Sequence, residues 1–254
     1  MILKRLGNKT KIATEIMKYF PEHQIYIEPF FGAGGMFFNK PKVKYNIVND
    51  LDSDVYNLFN VVSTKKDELA QAFFDMPIHT DLLEYWKENI ETDEIRKALR
   101  FLMMSNMTWL GIGDKIHLSL KNHKTPVFDL LDKTNKLLFD VQFANYTFND
   151  FLNGLSWRCP EEKAKVFIYN DPPYLKTSNN YTQGFTENDS FDLFEALTET
   201  KCKWAMSEFD NPFILDQAKE RGLNIIFVGE RNNLKNRRVE VLITNYENTQ
   251  GVLF

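Results

Sequence analysis

The chain has 254 residues, 43% of them hydrophobic, and a formal net charge of −4 at pH 7, which excludes a generally basic nucleic-acid binder. The sequence contains no apolar run of about 18 residues and no signal-peptide core, so it predicts a globular, cytoplasmic protein with no membrane contact. Two cysteines and four histidines without ligand spacing exclude a disulfide framework, and no metal site is expected.

The first predicted elements are a helix, a strand and a glycine-rich turn. Residues 3–9 form a loop before an amphipathic helix, and residues 25–27 are an apolar strand. The turn that follows is predicted to lead into an apolar helix at residues 36–38. Gly32 and Gly34 allow a ligand to approach the backbone closely, because no Cβ intervenes.

This glycine segment is not a known phosphate-binding motif. Phe37 stands where a dinucleotide-binding fingerprint has its third glycine, and no Gly-Lys-Ser/Thr sequence follows that would form a P-loop. The segment therefore predicts a ligand-binding turn that is not built for a pyrophosphate.

A second strand, residues 45–48, ends just before Asp50. An acid at the tip of the strand that follows a glycine loop is placed to accept hydrogen bonds from ribose hydroxyls. Asp52 and Asp54 are predicted to cap the next helix instead.

Residues 60–138 are predicted to be an insertion, because they interrupt the alternation of strands and helices. Residues 65–104 have apolar residues at helical spacing. The Gly-x-Gly-Asp sequence at 111–114, followed by alternating residues 115–120, predicts a basic hairpin. The main domain is then formed by residues 1–59 and 139–254.

After the insertion, the chain returns to alternating strands and helices. Strands are predicted at residues 141–148, 166–169, 203–207, 224–229 and 239–246, and helices at 190–200 and 211–221. Together with the two earlier strands, they form a sheet of seven strands. Arg231 to Arg238 forms a basic loop between the last two strands, which favours an antiparallel hairpin.

Basic residues cluster in three segments that contain no acidic residue: 1–14, 115–124 and 231–238. Together these segments hold 11 of the 31 basic residues. If they converge, an acidic protein acquires one basic face, which is the electrostatic footprint of nucleic-acid binding. The alternative for each segment is a charged surface that only contacts solvent.

The turn after the strand at residues 166–169 carries the clearest chemistry. Pro172 and Pro173 end the strand at its carboxyl edge, where ligands bind in open α/β sheets. Asp171 presents an acceptor carboxylate there, Pro172 a carbonyl of fixed direction and Tyr174 an aromatic face. These groups suit an exocyclic amino group on a flat ring. A surface turn without function is the alternative.

In their order along the chain, these motifs resemble those of the α-group (D12 class) DNA adenine-N6 methyltransferases, which include the Dam enzymes. The family's [D/N/S]-P-P-[Y/F/W] motif is matched, in the Asp form usual for adenine, by Asp171, Pro172, Pro173 and Tyr174. Its cofactor motifs are matched by Phe30, Gly32 and Gly34 (F-x-G-x-G) and by Asp50. Its N-terminal [W/R]-x-G-[G/N]-K element is matched by Arg5, Gly7 and Lys9, with arginine where the family often has tryptophan.

The resemblance implies a fold, a cofactor and a set of site residues. The fold is α/β, a seven-stranded, Rossmann-like sheet of S-adenosylmethionine-dependent methyltransferases with an inserted helical DNA-recognition module at 60–138. The implied catalytic residues are Asp171, Pro172, Pro173 and Tyr174. The implied cofactor contacts are Arg5, Gly7, Lys9, Phe30, Gly32, Gly34, Asp50 and Asp171. The expected DNA contacts are Asn106, Lys115, Lys121, Asn122, Lys124, Arg231, Lys235, Arg237 and Arg238.

The resemblance also implies a reaction. Adenine N6 is hidden in a base pair, so the target base must be flipped out of double-stranded DNA. Asp171 and the Pro172 carbonyl would accept the two N6 hydrogens and aim the nitrogen lone pair at the sulfonium methyl, while Tyr174 stacks on the base. Resemblance to Dam enzymes suggests a GATC-like target. The protein is expected to be a monomer, and a restriction endonuclease is a candidate partner.

Three other interpretations remain open. Methyltransferases that act on cytosine N4, RNA or a protein glutamine amide use a related tetrapeptide, although the aspartate and the motif order favour adenine in DNA. A DNA-binding regulator that has lost catalysis is opposed by the intact motifs. A nucleotide-binding oxidoreductase is opposed by the missing third glycine.

Overall fold

A seven-stranded sheet organises the part of the chain that the computed structural model describes, residues 1–4, 9–108, 111, 113–116, 124–175, 184–232 and 237–247. The strands are β1 (Ile25–Glu28), β2 (Tyr45–Asn49), β3 (Val141–Ala144), β4 (Val166–Asn170), β5 (Lys203–Phe209), β6 (Asn224–Asn232) and β7 (Arg237–Thr244). Their order in the sheet is β3-β2-β1-β4-β5-β7-β6. The prediction of seven strands is therefore confirmed.

The first five strands are parallel, and the last two are antiparallel to their neighbours. β1 pairs with β2 on one side and β4 on the other, and β7 lies between β5 and β6. The predicted terminal hairpin is confirmed, but Arg231 and Arg238, which were assigned to the connecting loop, are paired strand residues. Because parallel strands end at the same edge, the segments that follow β1, β2, β4 and β5 meet there.

Both faces of the sheet are covered, so the central strand β4 is buried at all five of its residues. Its side chains alternate between the two cores: Phe167 and Tyr169 pack in one, and Ile168 packs in the other. A continuous apolar run is typical of a parallel strand with helices on both faces. Burial of each such side chain stabilises the fold by roughly 1.5–3 kcal/mol.

Nine α-helices surround the sheet in the described part of the chain. They are α1 (Ala13–Met17), α2 (Ser53–Thr64), α3 (Lys66–Asp75), α4 (Thr80–Glu88), α5 (Glu94–Met107), α6 (Thr125–Leu138), α7 (Phe148–Asn153), α8 (Glu187–Thr200) and α9 (Pro212–Glu220). Asp52 caps α2 as predicted, since its carboxylate accepts a hydrogen bond from Asp54 N. None of the helices among the described residues is long and apolar enough to cross a membrane.

The segment between β2 and β3 is helical, as expected. Helices α3, α5 and α6 pack on α2, and their buried side chains belong to the same hydrophobic cluster as one face of the sheet. The predicted start of the insertion at residue 60 lies inside α2, whereas its end coincides with the end of α6. The hairpin predicted from residue 115 lies largely outside the described residues, apart from a bridge between Thr108 and Ile116.

The N-terminal residues are clamped by the end of α5. Ser105 Oγ accepts a hydrogen bond from Lys4 N at 2.7 Å and donates one to Lys4 O at 3.0 Å. Asn106 Nδ2 donates to Ile2 O at 2.7 Å. A Cβ on Gly111 would lie 2.3 Å from Lys4 O, so this glycine lets the two backbones touch. The clamp fixes the start of the segment that leads to residue 9.

Two predicted elements differ in the structure. The apolar helix expected at residues 36–38 is a series of turns over 35–39, because two adjacent glycines disfavour a helix and Asn39 Nδ2 takes the Gly35 carbonyl. The strand expected at 141–148 ends at Ala144. Beyond that point the side-chain amide of Asn49 takes the place of the strand-to-strand hydrogen bonds. Its Oδ1 accepts from Tyr146 N at 2.9 Å, and its Nδ2 donates to Tyr146 O at 3.0 Å.

Candidate active site

The turn after β4 brings Asp171 to the carboxyl edge of the sheet. The preceding strand is buried throughout, whereas the Asp171 side chain keeps 20% of its surface exposed. Pro172 and Tyr174 are buried behind it. The carboxylate is therefore a polar group of this turn that a ligand can reach.

A buried lysine lies against this carboxylate. Lys9 begins a short 3-10 helix, Lys9–Lys11, and is only 2% exposed. Its Nζ lies 2.5 Å from Asp171 Oδ1 and 3.4 Å from Oε1 of Glu240 on β7. The first basic segment of the chain thus contributes a side chain to the interior of the site, where one ammonium lies between two carboxylates.

Tyr174 is held on several sides. Its hydroxyl donates a hydrogen bond to Glu240 Oε1, Lys9 Nζ lies 4.3 Å from its ring centroid, and Phe209 meets it edge to face with centroids 4.6 Å apart. Burial raises the pKa of Tyr174 well above its ordinary value, so the phenol remains neutral. With 7% of its surface exposed, the ring does not present the open face that the sequence suggested.

Two further buried acids border the site. Glu208 on β5 accepts hydrogen bonds from the backbone N–H groups of Phe209 at 2.8 Å and Leu175 at 3.3 Å, and burial raises its pKa to about 8. Glu28 at the end of β1 accepts a hydrogen bond from Tyr26 at 2.9 Å, and burial raises its pKa well above the ordinary value. Burial favours the protonated form of both groups, which limits the negative charge of the interior.

The glycine turn after β1 is tied to the end of β2. Gly32 and Gly34 have φ values of +53° and +71°. A Cβ on Gly34 would lie 2.4 Å from the Phe38 ring, whereas a Cβ on Gly32 would meet no atom within 4 Å. Asp50 accepts hydrogen bonds from Gly32 N at 2.6 Å and Asp52 N at 2.9 Å. Gly34 therefore serves packing, and Gly32 leaves open space over the backbone.

Phe30 lies beside this turn in a small group of aromatic side chains. Its ring centroid is 5.7 Å from that of Phe148 on α7 and 6.1 Å from that of Phe185. All three rings are only partly buried. They form an apolar wall at the same edge of the sheet as Asp50 and Asp171.

Two residues predicted to contact DNA have internal partners instead. Asn106 is buried, and its Nδ2 donates to both Ile2 O and Leu102 O, so its amide supports the N-terminal clamp. Lys124 Nζ donates to Phe74 O and Met76 O and thus satisfies carbonyls at the end of α3. For these two side chains the prediction is corrected, because their polar groups already have protein partners.

The other predicted DNA contacts are only partly described. Lys115 is exposed. The Arg238 guanidinium lies 5.2 Å from the Phe209 ring, which links the third basic segment to the surroundings of Tyr174. Lys121, Asn122 and Lys235 lie outside the described residues, as do Arg5 and Gly7 of the cofactor element and the side chains of Arg231 and Arg237.

Sequence reasoning missed Glu240 and Glu208. Each acid stands among apolar residues of a strand, and a polar residue in such an alternating pattern is usually expected to face solvent. The residues that bury these two acids come from distant parts of the chain. Burial of two acids in adjacent strands becomes visible only once β5 and β7 are paired. Phe148 and Phe185 also gave no signal, because single aromatic residues are common in any core.

Comparison with known proteins points to one family. The family model described as D12 class N6 adenine-specific DNA methyltransferase matches residues 6–241. The DNA adenine methylase of Escherichia coli K12 is 24% identical over 270 residues, covering 96% of this chain and 94% of that protein. The DNA adenine methylase of Haemophilus influenzae is 29% identical over 202 residues, covering 74% and 68%. The solved N-terminal domain of human METTL16 in complex with SAH gives a TM-score of 0.39 at 11% identity, covering 94% of this chain and 67% of that one.

Proposed function

The chain belongs to the D12 class of N6 adenine-specific DNA methyltransferases, and from that premise we propose that the turn Asp171 to Tyr174 is where the amino group of the target adenine is methylated. The enzyme uses S-adenosylmethionine and acts on DNA. The observation that carries the assignment is the position of Asp171, a partly exposed carboxylate at the sheet edge beside a buried ammonium.

Asp171 has the geometry of an acceptor for the adenine amino group. Its Oδ1 is engaged by Lys9, and no described residue donates a hydrogen bond to Oδ2. Oδ2 and the Pro172 carbonyl would accept the two N6 hydrogens, which turns the nitrogen lone pair outward. As nitrogen gains positive charge in the transition state, the adjacent carboxylate stabilises it. Asp171 therefore works by orientation and charge and need not be a strong base.

The role proposed for Tyr174 depends on a change at its ring. Stacking on a base is worth about 1–3 kcal/mol, but it requires an exposed ring face. Lys9 lies over the ring in this structure, and the hydroxyl is anchored to Glu240. We infer that Tyr174 forms the inner wall of the base pocket and that a stacked base would have to displace its present neighbours.

The glycine turn and Asp50 fit the cofactor. The space over Gly32 that a Cβ would fill is the close approach that a nucleoside needs, and the aromatic wall of Phe30, Phe148 and Phe185 suits an adenine ring. Each carboxylate oxygen accepts more than one hydrogen bond, so Asp50 can hold the turn and also accept from ribose hydroxyls. S-adenosylmethionine, when bound, would supply a methyl group on a sulfonium: attack by N6 would break the sulfur–methyl bond and release a neutral thioether, and N6 would then lose one of its protons.

DNA recognition is proposed for the insertion and for the surface near β7. Residues 60–138 come before β3, where the resembling family has its recognition module. The basic and polar residues that would contact the duplex are Lys115, Lys121, Asn122, Arg231, Lys235, Arg237 and Arg238. Flipping of the adenine follows from its burial in the base pair. A GATC-like target, a monomeric enzyme, a cytoplasmic location beside the DNA and a restriction endonuclease partner remain proposals that rest on the family resemblance.

Methyl transfer to separate substrates tests the function. Protein is mixed with methyl-labelled S-adenosylmethionine and unmethylated plasmid DNA, RNA or a protein mixture, and the DNA is digested to nucleosides. Label should appear in N6-methyladenine and be absent with the Asp171→Ala variant. Label in N4-methylcytosine, in RNA or in protein would contradict the assignment. Sequencing of the methylated plasmid then gives the target site.

A further inference from the structure

Glu240 is a buried carboxylate that touches two groups of the site without reaching the surface. It is 1% exposed and stands opposite Phe209 in the pairing of β5 with β7. Its Oε1 lies 3.4 Å from Lys9 Nζ and accepts the hydrogen bond of the Tyr174 hydroxyl. One oxygen atom therefore links the N-terminal segment, the turn after β4 and the last strand of the sheet.

The charge balance around Lys9 depends on this residue. Lys9 is 2% exposed and carries one positive charge between the carboxylates of Asp171 and Glu240. If Glu240 were neutral, the ammonium would balance the Asp171 charge alone, and Asp171 would lose much of its attraction for a positive nitrogen. With Glu240 present, the three groups retain an excess negative charge. Asp171 is the most exposed member and the one that a ligand can meet.

We propose that Glu240 is a positioning residue for methyl transfer: through its contacts with Lys9 and Tyr174 it holds the Asp171 carboxylate in place and offsets part of the positive charge of the ammonium. It does not touch the base. This inference rests on the proposed function, because it assumes that Asp171 accepts the adenine amino group. It adds that the strength of this acceptor is set by a residue 69 positions away in the chain, on an antiparallel strand.

The two contacts of Glu240 can be separated by substitution. Glu240→Gln keeps the side-chain shape and an oxygen for the Tyr174 hydroxyl but removes the charge. Tyr174→Phe removes the hydroxyl and leaves the charge and the ring. If charge is the main contribution, Glu240→Gln should slow single-turnover methyl transfer at saturating cofactor and DNA by about 30-fold or more, while both dissociation constants change less than about twofold. Tyr174→Phe should have a smaller effect on the same rate.

A cycle with Lys9 tests whether Glu240 acts through the ammonium. In a Lys9→Met background, adding Glu240→Gln should lower the rate of methyl transfer by less than about threefold, because the ammonium that Glu240 balances is already absent. Glu240→Asp should restore part of the rate that Glu240→Gln loses. Glu230→Gln, at an exposed position of the neighbouring strand β6, is the matched control and should behave as wild type. Thermal melts and cofactor titration show which variants are folded.

Three results would overturn the inference: a wild-type rate in Glu240→Gln, a loss confined to cofactor or DNA binding, or equal losses with and without Lys9. If Glu240→Gln does not fold, Glu240→Ser, which also removes the charge, decides by the same rate criterion, and a wild-type rate in that variant counts against the proposal. Asp171→Ala is measured beside these variants. An active Asp171→Ala would contradict the proposed site of methylation, on which this inference rests, whereas an inactive Asp171→Ala with an unaffected Glu240→Gln would remove only the role of Glu240.

Discussion

The backbone N–H of Gly32 donates a hydrogen bond to Asp50 Oδ2 at 2.6 Å, so the turn after β1 is held by the acid that ends β2. A hydrogen bond to a charged group contributes about 1.5–3 kcal/mol. The second oxygen of Asp50 accepts from Asp52 N, at the start of α2. The acid that sequence alone assigns to a ribose therefore also shapes the surface on which the ribose would lie.

Replacement of Asp50 should weaken cofactor binding more than replacement of the nearby Asp52. Asp50→Ala removes both the acceptor for the turn and the acceptor for ribose, and we expect cofactor affinity to fall by at least about tenfold. Asp52→Ala, which removes the cap of α2, should lower stability by about 1 kcal/mol and leave affinity unchanged. Calorimetric titration and thermal melts measure the two quantities. Normal affinity in folded Asp50→Ala would exclude Asp50 from the cofactor site.

The two glycines of the turn should respond differently to the same substitution. Gly34→Ala places a Cβ against the Phe38 ring at a positive φ and should lower the free energy of unfolding by about 3 kcal/mol. Gly32→Ala has room for its Cβ and should cost about 1 kcal/mol, but it should weaken cofactor binding by about tenfold or more. Denaturant unfolding and titration distinguish them. Similar stability of the two variants would contradict the packing role of Gly34.

The free energy of unfolding should decrease as pH rises, because of Glu208. Its folded pKa of about 8 lies above the unfolded value near 4.5, so the folded state holds a proton that the unfolded state releases. Stability from this group is present at low pH, declines as pH rises above about 4.5 and levels off above about 8. The slope is at most about 1.4 kcal/mol per pH unit.

Glu208→Gln should remove this pH-dependent contribution while keeping an oxygen for only one of the two N–H groups, because Phe209 N donates to Oε1 and Leu175 N donates to Oε2. We expect the variant to gain stability relative to wild type between pH 5 and pH 8, as measured by urea unfolding across that range. Glu199→Gln, an exposed replacement on α8, is the control. A stability difference that does not change with pH would show that Glu208 does not hold a proton in the folded state.

Lys124 and Lys115 should separate stability from DNA binding. Lys124→Met leaves the Phe74 and Met76 carbonyls without their donor and should lower stability by about 1–2 kcal/mol, with no change in the salt dependence of DNA binding. Lys115→Ala should leave stability unchanged and reduce the slope of log affinity against log salt by about 1, if it contacts a phosphate. A lower slope with Lys124→Met, in folded protein, would return Lys124 to the DNA surface.

Strands could be predicted from the sequence because a short apolar run between two turns is too short for most buried helices and is typical of a buried strand. Residues 166–169 and 203–207 are strands as expected, and the position of Asp171 follows from the strand before it. The apolar residues at 36–38 predict a helix, but the structure has turns over 35–39, because Gly34, Gly35 and Asn39 disfavour the helix. Local sequence thus determined most of the sheet and the exposed part of the site.

The interior of the site could not be predicted, since it depends on contacts between distant segments. Tyr174 was expected to offer an open ring, but Glu240 and Phe209 enclose it from β7 and β5. The basic segments were expected to form a surface, but Lys9 turns inward to Asp171 and Lys124 turns to α3. The sequence identifies a basic side chain, but only the fold shows whether that side chain contacts solvent or a carboxylate.

The clamp between residues 1–4 and the end of α5 limits how a new target specificity can be engineered. Exchange of recognition modules between relatives is a natural design, with junctions placed at the ends of the inserted helices. Ser105, Asn106 and Gly111 would travel with the module, although their partners Ile2 and Lys4 stay behind. A chimaera that mismatches them would release the segment that carries Lys9. The grafted enzyme would then bind its new sequence and fail to methylate it, unless its first four residues are exchanged as well.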